Sequence, residues 1–339
     1  MAYFQLCNIF AKKISRMRIV GLGNALTDVL ARLHSDECFD EMGLLKGGMQ
    51  LIDEEKLLRI MSVFEGLETT LASGGSAANA VSGVARMGIE SGFIGKIGRD
   101  AYGRFFREDM ERNGVQTLLI EGEQASGCAM TMITPDGERT FGTFLGAAAT
   151  LCAEELSAEM FEGYDILHIE GYLVQDTSLI LRAVQLAKEV GLSVSFDMAS
   201  YNVVKDNYAI IRDLVENYVD ILFANEEEAL AYTGEEPRKA TEILSQYCRI
   251  AVVKCGAQGS FVGCEGIITE VPATPEVRVD STGAGDLYAS GFLYGLSQNC
   301  SLGVCGAIGS LLAGRVIKVI GTKMSDEIWT EIKLSLIHI

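Results

Sequence analysis

The chain has 339 residues, 48% of them apolar and 22% charged, so it can bury a sizeable core, and intrinsic disorder is excluded as its main state. Lys and Arg number 28 against 46 Asp and Glu, a net charge of −18 that repels nucleic acid and anionic lipid at long range. A polyanion bound here must be held by backbone donors, a metal or a local basic cluster.

In residues 1–16 the charges Lys12, Lys13 and Arg16 follow a short apolar stretch instead of preceding it, and no small-residue cleavage site is present. That is not the order of a secretory signal, and Met17 reads as a better start. Arg18–Gly23 reads as a buried strand. Thr27–Ile52 is poorly helical and contains Gly43, Gly47 and Gly48. Ser76–Met87 reads as a helix and Ser91–Ile97 as a strand. Ala125–Phe144 nearly alternates, with Cys128, Met130 and Met132 on one side and Thr131 and Ile133 on the other, around a Pro135-Asp136-Gly137 turn. That is a hairpin signal, and it could pair with 27–52 as a small separate sheet.

Further along, strands (Asp165–Ile169, Ser193–Asp197, Val219–Phe223, Ile250–Lys254) alternate with amphipathic helices (Ser178–Val190, Tyr208–Asn217, then two short ones). Uniformly apolar strands separated by helices imply a mainly parallel sheet covered on both faces. Leu334–Ile339 reads as a cloning or assembly scar, with an ordinary apolar tail as the alternative, and His338 is set aside from any site. No apolar run reaches the ~18 residues of a membrane-spanning helix. The nine scattered cysteines, with no Cys-x-x-Cys, fit reduced thiols in a cytoplasmic protein, and three histidines leave little for a zinc site.

The strongest chemical signal is Asp280-Ser-Thr-Gly-Ala-Gly-Asp286, leading into a helix with Tyr288, Phe292 and Leu296 on one face. Gly283 and Gly285 let successive N–H groups converge at a helix N-terminus, an anion site. Asp286, in the first turn, would be kept ionised by the macrodipole and could serve as general base for an attacking hydroxyl. The same residues also suit a plain loop–helix junction capped by Thr282 or Ser281. Gly74-Gly-Ser-Ala-Ala-Asn79 permits close backbone approach at the start of its helix, although such starts are common. Asp28, just past the first strand, could accept two hydrogen bonds from a vicinal diol or be a surface loop residue. Asn225 and Glu226 to Glu228, at a strand's carboxyl end, could hold the waters of a magnesium ion or form a solvated helix start. Gly256 and Gly259 suit either approach to a ligand or a hairpin turn. Absence of a Walker lysine loop, of Gly-x-Gly-x-x-Gly after a strand and of His-Arg-Asp disfavours Walker ATPases, dinucleotide dehydrogenases and protein kinases.

Taken together, Gly74-Gly75 with Asn79, Asn225-x-x-Glu228, Gly256-x-x-Gly259 and Asp280-x-x-Gly-Ala-Gly-Asp286 resemble the ribokinase-like (PfkB) carbohydrate kinase family, over about residues 17–330. The resemblance implies an α/β fold: a three-layer α/β/α body with a mainly parallel sheet and a small β-sheet lid. It implies one kinase domain over 17–333, with lid segments at about 27–52 and 114–145. The implied reaction moves the γ-phosphoryl of ATP to a hydroxymethyl group, with Mg2+ and, as a further option, a monovalent cation.

Carried over to this chain, Asp286 is the base and Gly283, Ala284 and Gly285 form the anion hole. Asn225 and Glu228 belong to the magnesium–phosphate network. Lys254, Gly256, Gly259 and Thr282 lie at the nucleotide, and Asp28, Gly74, Gly75 and Asn79 at the acceptor. Ser281 departs from the family's usual Thr, and Asp197 from its frequent Asn.

Gly23-Asn-Ala-Leu-Thr-Asp28, Gly146-Ala-Ala-Ala-Thr150 and Tyr218–Asn225 are most similar to adenosine kinases, which makes adenosine the first expected acceptor. Phe141, Phe144 and Leu145 could offer a purine an apolar surface or simply pack the lid. Free ribose or fructose is the alternative acceptor, and a non-catalytic nucleoside or sugar sensor the alternative class. The expected partners are small molecules, with neither nucleic acid nor membrane, for a monomer or homodimer.

Overall fold

The computed structural model describes residues 17–338; the expectation for residues 1–16 lies outside the described residues. In chain order the strands are β1 (Ile19–Leu22), β2 (Leu26–Arg32), β3 (Gly48–Leu51), β4 (Thr69–Gly74), β5 (Ser91–Gly98), β6 (Val115–Gly122), β7 (Gly127–Ile133), β8 (Arg139–Phe144), β9 (Ile166–Glu170), β10 (Ser193–Asp197), β11 (Ile221–Asn225), β12 (Ile250–Lys254), β13 (Ser260–Cys264) and β14 (Ile267–Val271). The helices are α1 (Cys38–Met42), α2 (Glu54–Phe64), α3 (Ser76–Arg86), α4 (Ala101–Arg112), α5 (Thr177–Glu189), α6 (Tyr201–Asp206), α7 (Tyr208–Asn217), α8 (Glu226–Thr233), α9 (Pro237–Leu244), α10 (Ala284–Ser297), α11 (Leu302–Val316) and α12 (Asp326–Ser335).

A nine-stranded sheet runs β14-β13-β12-β11-β10-β9-β1-β5-β6, parallel from β12 to β6 and antiparallel at the β12–β13 and β13–β14 pairs. Its apolar strands divide their side chains between two cores. Leu222, Ala224, Ala251 and Val253 join one with residues of α5, α7 and α9. Ile221, Phe223, Ile250 and Val252 join the other with residues of α3, α4 and α10. This is the doubly covered arrangement that unbroken apolar strands require. From β1 the chain first builds outward to β5 and β6, then crosses back to β9. The switch point therefore lies between β1 and β9, and open sheets bind ligands outside the strand ends at such a point.

A second, five-stranded sheet runs β3-β8-β7-β2-β4. Cys128, Met130 and Met132 pack beneath it with Val29, Ile60 and Phe64, as their alternation indicated. Its other face carries Leu26, Asp28 and Thr143. Two expectations about this sheet change. Residues 115–122 of the proposed lid segment 114–145 form β6 at the edge of the large sheet, because α4 returns the chain parallel to β5 as a crossover unit. The lid also gains β4, paired antiparallel with β2; the exposed Thr69-Thr70-Leu71 half of that strand gives no apolar alternation to read. At the far end, Leu334 and Ser335 complete α12, and Leu336 packs against the cluster containing Trp329 and Ile332.

Candidate active site

Two cavities meet over the carboxyl ends of β1, β9, β10, β11 and β12, and Ser76 and Tyr172 line both. The first has a volume of about 570 Å³ and lies between the lid and the body. At its floor Glu170, the last residue of β9, is buried. Its carboxylate accepts from the Asn24 N–H (2.9 Å), Asn24 Nδ2 (2.6 Å) and the Ala77 N–H (3.0 Å). Burial pushes its pKa up to about 7, and those three donors hold it from rising further. Glu170 ties β1, β9 and the start of α3 into one unit. The sequence reading missed it; the available signal was a carboxylate closing the apolar strand Ile166–Glu170.

Of the four residues expected at the acceptor, Gly75 lines this cavity. Its φ of 99° and its contact with the Asn24 carbonyl, with which a Cβ would collide, admit only glycine. On the β2–β4 pair Gly74 stands opposite Leu26 and diagonal to Asp28, and a Cβ on Gly74 would strike the Asp28 carboxylate. Asp28 thus sits within a lid strand rather than in a loop. Desolvation raises its pKa to about 7, with Lys323 pulling it down and Asp286 pushing it up. Lys323 is itself bound to Ser73 Oγ (2.7 Å) and Asp109 Oδ2 (3.0 Å). Asn79 turns its amide away from the cavity, toward Asp286. Of the three residues expected to give a purine an apolar surface, only Leu145 is in the lining. Phe144 packs against the lid core, because the pleat of β8 points it to the opposite face from Thr143.

Asp286 stands where the cavities join. Ser76 Oγ donates to its Oδ1 at 2.8 Å and Asn79 Nδ2 to its Oδ2 at 2.9 Å. Desolvation raises its pKa to about 6 against the pull of Asn79 and Ser76, the opposite direction from the one expected of a carboxylate in a first helical turn. The carboxyl is still mostly ionised at neutral pH. The N-cap of α10 is Gly283, with φ 73°, and no side chain caps it. Thr282 is not a cap: its N–H and hydroxyl both donate to Asp280 Oδ1, at 3.0 and 2.8 Å. The Ala284 N–H donates to the Ser281 carbonyl at 3.2 Å, and the start of α10 lies against the second cavity, which Gly283, Ala284 and Gly285 line.

This second cavity, about 920 Å³, is also lined by Asn225, Glu228, Lys254, Gly256 and Gly259. Asn225 caps α8 in a reciprocal box: its Oδ1 accepts from the Glu228 N–H at 2.8 Å, while its own N–H and Nδ2 each donate to the Glu228 carboxylate at 2.7 Å. Burial, and then Asp197, raise the Glu228 pKa to about 7. Asp197, at the position where the family often has Asn, pairs with Lys254 Nζ at 2.7 Å. Burial alone would raise Asp197; the Lys254 ammonium more than offsets it and holds the carboxyl below its ordinary range. Gly256 and Gly259 make the turn from β12 to β13, so the hairpin and ligand-lining readings hold together.

Arg139, on lid strand β8, forms an ion pair with Asp280, whose Oδ2 also accepts from the Gly321 N–H at 2.7 Å. This lid-to-loop contact had no signal in the sequence, where its partners lie far apart. Among the described residues no group of three or more His, Cys, Asp or Glu side chains is placed to hold a metal ion, and no helix is long and apolar enough to cross a membrane.

Residues 42–329 match the pfkB family carbohydrate kinases, and the chain belongs to that family. An adenosine kinase from Sinorhizobium meliloti superimposes with a TM-score of 0.82 at 32% identity, over 95% of this chain and 100% of that one. A probable sugar kinase from Rhizobium etli gives a TM-score of 0.83 at 31% identity, over 95% and 99%. An uncharacterized sugar kinase from Archaeoglobus fulgidus is 30% identical over 244 residues, 71% of this chain and 96% of its own. The protein is thus a phosphotransferase of the sugar and nucleoside kinase class, with the ribokinase-like fold.

Proposed function

We propose that the chain transfers the γ-phosphoryl of ATP to the 5′-hydroxymethyl group of a nucleoside, adenosine first. The carrying observation is the apolar wall of the acceptor cavity. Around its volume of about 570 Å³ stand Leu26, Met49, Leu51, Leu145, Leu173 and Val203, with Met49 and Leu51 still exposed on the lid, a surface that a free sugar would leave uncovered and a purine would cover. The structural likeness to an adenosine kinase supports the same acceptor. In this reading Asp28 and Glu170 address the sugar. Asp286 accepts the hydroxyl proton as the acceptor oxygen bonds to the γ-phosphorus, the bond from that phosphorus to the β–γ bridging oxygen breaks, and ADP departs. The uncapped N–H groups of α10 meet the charge on the transferring group.

Asn225 and Glu228 fit a magnesium ion that takes most of its ligands from phosphate and water, since Glu228 lines the nucleotide cavity and keeps unused lone pairs. When bound, such an ion supplies charge neutralisation on the polyphosphate. For a monovalent cation, the buried Thr322 Oγ1 has no partner and lies beside Gly283, but one oxygen does not make a site and no step is assigned to such an ion. The eight described cysteines are free thiols, which supports a cytoplasmic setting.

A second acceptor class, free sugars, draws on the polar wall of the same cavity, Gln175, Asn202 and Asp206, and on the relatives named as sugar kinases. A coupled ADP-release assay with ATP, Mg2+ and adenosine, inosine, ribose, fructose or ketodeoxygluconate separates them. A higher kcat/KM for any free sugar than for adenosine overturns the nucleoside reading. No turnover with any acceptor leaves a binding sensor.

A further inference from the structure

We propose that Ser76 is a positioning residue for the base: together with Asn79 it fixes the plane of the Asp286 carboxylate and keeps it poised to receive the acceptor's proton. The inference rests on the reading of Asp286 as that base.

Ser76 is the first residue of α3 and Asn79 lies three residues on, so both side chains project from one face. Each takes a different oxygen of Asp286, at 2.8 and 2.9 Å. A carboxylate held at one oxygen still turns about its last torsion; held at both by one rigid helix, it does not. The helix that carries Asp286 is equally fixed. Ser290 Oγ donates to the Ala80 carbonyl at 2.7 Å, and Gly83 leaves no room for a Cβ against Ser290. Contacts at 76–79 with 286, then at 80–83 with 290, run in the same direction. α3 and α10 therefore lie parallel, with both N-termini at the cavity junction. The lone pairs that Asp286 keeps are open to the junction, where Ser76 lines both chambers.

The surroundings make these two donors consequential. Asp28 from β2, Glu170 from β9, Tyr172 beyond it and Asp197 from β10 all face Asp286. Against them stand two ammonium groups: Lys254 from β12, already paired with Asp197, and Lys323, which acts on Asp28 and is bound to Asp109 and Ser73. Burial first, and then the Asp197 charge, favour a protonated Asp286, while Asn79 and Ser76 favour the ionised form. Asn79 is correspondingly committed: its amide nitrogen serves the base and not the acceptor cavity.

The test is a 13C-carboxyl NMR titration of aspartate-labelled full-length protein, with Asp286→Asn assigning the signal. Wild type, Ser76→Ala and Ser76→Thr are compared, each checked for folding by thermal unfolding. In Ser76→Ala the Asp286 titration should move up by about one pH unit, the scale on which single hydrogen bonds shift a carboxylate. The acid limb of kcat/KM should move with it, so that the loss of activity is large near pH 6 and small near pH 9. Ser76→Thr, which keeps the hydroxyl, should titrate with wild type. An Asp286 titration unmoved in Ser76→Ala overturns the proposal, as does an activity loss equal at every pH. If the titration moves but wild type phosphorylates no acceptor, the positioning stands and the kinase reading falls.

Discussion

Gly283 and Gly285 stand two residues apart where α10 begins, and one added methyl group should act in opposite ways at the two positions. Gly283 has a φ of 73°, and a Cβ there would lie 2.5 Å from Thr322 Cγ2. A left-handed L-residue costs about 1–2 kcal/mol and overpacking about 1–3 kcal/mol, so Gly283→Ala should lose about 2–5 kcal/mol of stability. Gly285 lies inside α10 with no positive φ, and its Cβ would sit 3.1 Å from Lys254 Nζ, the tip of a flexible chain. Gly→Ala within a helix gains up to about 1 kcal/mol. Gly285→Ala should therefore melt at or above wild type, because Lys254 Nζ need yield only a few tenths of an ångström and keeps its pair with Asp197, yet the added methyl group should crowd the loop and raise the KM for ATP. From the sequence the strain is expected at Gly285; the backbone puts the positive φ at Gly283 instead. Thermal unfolding without ligand, followed by ATP titration of initial rates, reads both effects. A Gly283→Ala protein that melts with wild type, or a Gly285→Ala protein that melts below it, would refute the assignment.

Asp286→Asn should lower kcat by about 10²–10⁴ while leaving nucleotide affinity near wild type; retention of more than about a tenth of the turnover counts against Asp286 as the base. Asp28→Ala should raise the adenosine KM at least about tenfold, the loss of charged hydrogen bonds worth about 1.5–3 kcal/mol each, and should leave 2′,3′-dideoxyadenosine unaffected; equal weakening of both means that Asp28 does not read the diol. Because desolvation puts the Asp28 pKa at about 7, wild-type adenosine KM should fall as pH rises through that value, and a profile flat in pH removes Asp28 from acceptor binding. The raised carboxyls of Asp28, Glu170, Glu228 and Asp286 hold protons in the folded state that the unfolded chain has released, so the ligand-free protein should lose stability as pH climbs from their ordinary range near 4 to about 7. Melting should fall across that window and Asp28→Asn should flatten the slope; a melting temperature that rises from about pH 5.5 to 8 contradicts this.

Much of the body was legible because its signals are local. β10, α7 and β12 span the residues their patterns indicated, since an apolar run or a 3.6-residue period states both the element and its buried face. The lid hairpin was legible for the same reason, through Met130 and Met132 alternating around a turn. β4 was not: it is half exposed and earns its place only by pairing with β2. Residues 115–122 misled because their partner, β5, is chosen by the crossover through α4 and not by their own composition.

The chemistry divides along the same line. By itself the sequence determined which groups exist at the site: a carboxylate in a glycine-rich helix start, a second glycine pair before Asn79, and an Asn–Glu pair three residues apart after a strand. Spacing along one chain segment settles such matters, because backbone geometry over a few residues is nearly fixed. Only the tertiary structure decided how those groups face one another. It set Ser76 and Asn79 on the oxygens of Asp286 across 210 and 207 residues. It also put Glu170 beneath the start of α3, gave Lys254 to Asp197, and brought Arg139 from the lid to Asp280. Hydrogen bonds and desolvation act over a few ångströms of space, whatever the distance along the chain. The protonation of Asp286, Asp28 and Glu170 is therefore a property of the fold that packs them together.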